Sequence, residues 1–142
     1  MTPTKTDSLR IDDRPSGRGG GSLDLTGLLG GWLNTDGGRS GGVLRFDAAN
    51  RDGRLFVRGF GVGDPEPIPW DEVEARPFAP TAADGHAWAF NCRFEWDGVA
   101  TDVSAYNKQG ILVAAIFTRF ADGSRRADYW TREFFHREGR TL

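Results

Sequence analysis

His86-Ala87-Trp88-Ala89-Phe90-Asn91-Cys92-Arg93-Phe94-Glu95-Trp96 is the stretch that decides the fold. Successive side chains of an extended chain point to opposite sides, so Trp88, Phe90, Cys92, Phe94 and Trp96 share one face and Ala87, Ala89, Asn91, Arg93 and Glu95 the other. One face is oily and the other mostly wet, as in a strand laid on a core. Working outward, Asp97-Gly98, Asn107-Lys108-Gln109-Gly110 and Asp122-Gly123-Ser124 are turn signals. They separate this strand from the β-prone runs 99–106, 111–120 and 126–137. The run 126–137 carries apolar residues on both faces, which suits a central strand or one covered outside. Toward the N-terminus, Asn50-Arg51-Asp52-Gly53 divides 43–46 from 55–60 in the same way. Helical periodicity is nearly absent after residue 30, which argues against all-α and βαβ architectures. The pattern predicts an all-β fold, a single antiparallel meander of about eight strands. Closure into a barrel removes the exposed edges of such a sheet and leaves room for side chains or one small ligand; a two-sheet sandwich is the alternative.

The chain has 142 residues, enough for one domain with a real core. Residues 1–22 are glycine-rich and charged without apolar periodicity, so they read as a flexible tail, and 23–142 as the barrel domain. Leu23, Leu25, Leu28 and Leu29 suit a short helical turn or an entry segment that plugs one end. The net charge of −2 gives no general attraction to nucleic acid or anionic lipid. No secretory h-region and no membrane-spanning run is found, and the lone Cys92 allows no intrachain disulfide, so the expected location is the cytoplasm. Asp64-Pro65-Glu66-Pro67-Ile68-Pro69-Trp70, within the passage between Gly61 and Pro80, is expected to be a loop or an edge, because proline removes ladder donors. Trp70 there is either a lid over a site or an aromatic packed on a barrel end. Gly59-x-Gly61-x-Gly63 opens toward prolines rather than a helix, so it reads as a bulge or bend, not a phosphate loop.

Gly30-Gly31-Trp32-Leu33-Asn34 has the form Gly-x-Trp-x-Asn, and here the chain resembles the calycin barrels, which include lipocalins, fatty-acid-binding proteins and avidins. The resemblance implies a calycin-like barrel in which a basic residue of the last strand packs over Trp32; Arg132 and Arg137 are placed for this. The ligand-binding string of the avidins cannot be traced, so biotin is not implied. The chain is also similar to small bacterial barrel proteins that open on Trp-x-Asn-x-Asp and finish on Asp-Gly-Ser-x-Arg-x-Asp-Tyr, here Asp122 to Tyr129. That resemblance implies a fold and no settled activity.

The expected function is binding of a small hydrophobic molecule in a closed barrel interior. Trp32, Phe90, Phe117 and Trp130 are expected to line it, with Asn34 or Arg132 fixing orientation and Tyr106 as a further ligand-binding candidate. Arg132 or Arg119 would hold a fatty carboxylate, or else pair internally with Asp128 or Asp102. Asp102, Ser104 and Tyr106 share a face that is either catalytic or simply wet. Two rivals remain open. One is a cyclase, isomerase or hydratase of secondary metabolism using Tyr106, Asp128 or Arg132; the other is a homodimeric interaction module. His86, His136 and Cys92 lack the spacing of a zinc site, and an apolar setting favours the neutral thiol of Cys92 over a nucleophile. No metal or cofactor is expected.

Overall fold

The computed structural model describes residues 23–39 and 42–139; the 1–22 tail lies outside them. Among these residues, nine strands follow one short 3-10 turn: β1 (Gly30–Asn34), β2 (Val43–Arg51), β3 (Arg54–Gly61), β4 (Ile68–Pro69), β5 (Val73–Phe78), β6 (Ala89–Trp96), β7 (Val99–Lys108), β8 (Ile111–Phe120) and β9 (Tyr129–Arg137). All pairings between them are antiparallel. The sheet order β2-β1-β9-β8-β7-β6-β5-β3, closed by β2 against β3, is an eight-stranded meander barrel; β4 is a two-residue appendage on β3. Three of its hairpins turn on residue pairs with positive φ, Asp52-Gly53, Asp97-Gly98 and Gln109-Gly110, which match the right-handed twist of the strands they join.

Alternation sorts the side chains. Trp32, Phe46, Leu55, Val57, Phe90, Phe94, Val103, Leu112 and Phe135 point inward and are buried. Each large aliphatic or aromatic side chain so buried contributes about 1.5–3 kcal/mol. Phe46 is the hub, with ring centroids 5.0 Å from Phe135 and 6.4 Å from Phe94. One end of the barrel is shut by the 3-10 turn Thr26–Leu28, which buries Leu25 and Leu28. The Trp32 indole donates to the Leu28 carbonyl at 3.0 Å, and Asn107 Nδ2 donates to the Gly27 carbonyl at 2.8 Å. Arg137 stacks on Trp32 with its guanidinium carbon 4.3 Å from the ring centroid, and it also donates to the Leu29 and Gly27 carbonyls. Of the two arginines offered for that place, Arg137 takes it and Arg132 does not.

Two local expectations need correction. Regular pairing of the 86–96 run starts at Ala89, because Gly85, His86 and Ala87 are tied to Asp24. Trp88 turns away from the Phe90 face and packs on Tyr106, centroids 5.0 Å apart. The proline-rich passage between Gly61 and Pro80 also contains a strand of the wall, β5. That strand tolerates Pro77 because it splits its pairing: residues 73–75 pair with β3 and residues 76–78 with β6.

Candidate functional site

The split pairing of β5 leaves the barrel wall incomplete. Register pairs between β5 and β6 stop at Arg76 and Asn91, so residues 92–96 of β6 have no strand partner on that side among the described residues. Trp70, carried on the connection from β4 to β5, fills the gap. Its indole lies on the backbone of Gly59, where an added Cβ would sit 2.3 Å from a ring carbon, and beside Gly61. Across the gap the ring meets Phe94 and Trp96, at centroid distances of 5.0 and 5.1 Å. The Trp70 backbone is held by its N–H to the Gly59 carbonyl at 2.9 Å and by Arg58 on its carbonyl at 3.2 Å. The glycines of β3 are thus a shelf for an indole, beside a register shift between Val43 and Arg45 on β2. Gly59→Ala is expected to displace Trp70 at a cost of about 1–3 kcal/mol, as overpacking does. A red shift of tryptophan emission with strand circular dichroism retained would report it; unchanged emission would show that the ring does not lie on that glycine.

Outside this plug is a groove of ≈230 Å³, lined by Ile68, Pro69, Trp70, Asp71, Val73, Phe94, Glu95 and Trp96. A shallower depression of ≈440 Å³ lies farther along the same seam, among Glu74, Arg76, Asn91, Arg93, Asp102 and Phe117. The charges in that depression are partly spent on each other: Asp102 accepts from Arg119 at 2.8 Å and faces Arg93 at 3.8 Å. Its walls therefore suit water better than an apolar guest.

The lumen holds a polar cluster that sequence reading missed. Glu133 of β9 is buried; it accepts from Asn34 Nδ2 at 2.7 Å and from the Thr131 hydroxyl at 2.8 Å. The same Asn34 amide donates to the Val43 carbonyl at 2.9 Å, and its Oδ1 accepts from the Asp36 N–H at 3.0 Å. Thr101 and Thr118 form a second buried pair, Oγ1 to Oγ1 3.4 Å. Among the described residues no arginine or lysine makes an ion pair with Glu133.

Of the side chains proposed to line the interior, Trp32, Asn34 and Phe90 do so and are buried there. Phe117, Trp130, Arg132 and Tyr106 do not. The register of β8 on β9 sends Leu112, Ala114, Ile116, Glu133 and Phe135 inward, so Phe117 and Trp130 lie outside, 45% and 54% exposed. Arg132 is exposed above Phe134, 5.5 Å from the ring centroid. Tyr106 packs on Trp88 outside, and Asp128 accepts from the Phe120 N–H at 3.0 Å in the loop at the opposite end of the barrel. Tyr106, Asp128 and Arg132 are not brought together. Arg119 does pair with Asp102 at 2.8 Å, but on the outer face with both side chains partly exposed, not as a buried pair inside the barrel.

Cys92 faces the core, and burial, helped by Asp102, pushes its thiol up from 9.0 to about 12. At pH 8 the folded chain then holds about a thousandfold less thiolate than the unfolded chain, so alkylation of native protein is expected to be slower by at least that factor. Because the folded state keeps the proton, this contribution to stability is constant below about pH 9 and declines as pH rises toward 12. Equal labelling rates for native and urea-unfolded protein would contradict the burial. Compared with known proteins, the chain matches no family model, no curated protein and no solved structure.

Proposed function

We propose that the chain is a calycin-type barrel that binds a small apolar molecule at the Trp70 gap. The observation that carries this reading is the incomplete wall between β5 and β6, where a ≈230 Å³ groove exposes indole and aliphatic surface beside the core. The calycin assignment is supported by the stacking of Arg137 on Trp32 behind the Gly-x-Trp opening. The site sits at the gap rather than at the barrel axis because Phe46, Phe90, Phe94 and Phe135 already occupy the lumen. A buried neutral thiol at Cys92 suits a reducing compartment such as the cytoplasm.

Native mass spectrometry of protein purified from its host, followed by denaturation, tests this. One stoichiometric small molecule is expected, with occupancy reduced at least about tenfold in Trp96→Ala, which removes a wall of the groove. A clean apo mass would count against carriage. A second reading, a homodimer formed through the outer face of β8 and β9, is favoured by Phe117, Trp130 and Phe134, which leave 45%, 54% and 40% of their surface exposed on neighbouring positions. Sedimentation at high concentration separates the two: a monomer removes the second reading and leaves the first.

A further inference from the structure

We infer that the molecule taken at the Trp70 gap is an organic cation, an ammonium ion with an apolar body; this rests on the groove being the binding site. Arginine covers five of the seventeen aromatic rings of this protein. Among the described residues, guanidinium groups lie over Phe60, Phe56, Phe120, Phe134 and Trp32. Trp70 and Trp96, tilted 32° to each other with centroids 5.1 Å apart, have no such cover. The Trp96 indole, 39% exposed where it lines the groove, attracts a cation through its quadrupole, most strongly when the cation is poorly hydrated, as an alkylated ammonium is.

The charge around the groove has the matching sign. No lysine or arginine lines it, whereas Asp71 and Glu95 do. The chain from Val62 to Ala75 carries Asp64, Glu66, Asp71, Glu72 and Glu74 and no basic residue. Glu72 and Glu74 are taken by Arg51 and Arg54, and Glu95 by Arg93 at 2.8 Å. Asp71 has no ion pair among the described residues. An anionic guest would meet this carboxylate, so the fatty carboxylate offered as one alternative from sequence does not suit the groove; Arg58 is turned to the Trp70 carbonyl and Arg93 to Glu95.

The probes are choline and its uncharged carbon isostere, 3,3-dimethylbutan-1-ol, titrated into the full chain while the indole N–H signals of Trp70 and Trp96 are followed by NMR. Choline is expected to bind about tenfold more tightly than the alcohol, the range of a cation on an indole with a carboxylate nearby. Asp71→Asn is expected to reduce that preference by about threefold without changing the affinity for the alcohol. Equal or tighter binding of the alcohol would overturn the cationic assignment while leaving the groove as a site. Failure of both probes to move either indole would remove the groove itself. An unchanged preference in Asp71→Asn would overturn the role of that carboxylate.

Discussion

Trp32→Ala is expected to lower the free energy of unfolding by about 3–5 kcal/mol, read from urea denaturation, which is a large part of what a domain of this size possesses. Three contributions are lost at once. The indole is fully buried at the closed end of the barrel, its N–H satisfies the Leu28 carbonyl at 3.0 Å, and its face carries the Arg137 guanidinium at 4.3 Å. Arg137 also donates to the Gly27 carbonyl at 2.9 Å, so an unsupported guanidinium loosens the 3-10 turn that plugs the end. Trp32→Phe keeps most of the bulk and is expected to recover more than half of the loss. A Trp32→Ala chain as stable as the parent would show that this end is not the anchor of the barrel.

Glu133 gives the second large effect. Glu133→Ala is expected to cost about 2–4 kcal/mol, because it leaves a void in the lumen and orphans the half-buried Thr131 hydroxyl and one proton of the Asn34 amide. Glu133→Gln is expected to stay within about 1 kcal/mol of the parent. Its amide oxygen accepts from Asn34 as the carboxylate did, and its amide nitrogen donates to the Thr131 oxygen, whose proton rotates away. No cation is paired with Glu133 among the described residues, so neutralising it breaks no buried ion pair. A Gln variant as damaged as the Ala variant would mean that the negative charge itself stabilises the fold.

How much of this was legible in the sequence depended on how distinct the two faces of each strand are. In β6 the two faces differ sharply, and Phe90, Cys92 and Phe94 were correctly placed inside. Trp32 and Asn34 were legible for the same reason. In β8 and β9 both faces carry large apolar groups: Ile111, Val113, Ala115 and Phe117 alternate with Leu112, Ala114, Ile116 and Thr118. A shift of one residue exchanges such faces, so the alternation of β9 could not choose between Trp130 with Arg132 and Thr131 with Glu133. The pairing of Ala114 with Glu133 chooses, and that is a long-range fact. Glu133 was overlooked because the other face of β9, with Trp130 and Arg132, was the one expected inside. The Trp70 gap was half legible: the prolines marked a break in the wall, and the glycines of β3 marked a close approach. Only the structure joins the two, as shelf and ring.

The five tryptophans report on different parts of the molecule: Trp32 on the closed end of the lumen, Trp70 and Trp96 on the gap, Trp88 and Trp130 on the outer wall. Titration of the ¹⁵N-labelled chain with benzyl alcohol, followed at the five indole N–H signals, therefore locates an apolar guest directly. Saturable shifts at Trp70 and Trp96 with Trp32 unmoved are the expected result. Saturable shifts at Trp32, with contacts from the guest to Phe46 and Phe135, would put the molecule in the lumen and contradict a binding site at the gap.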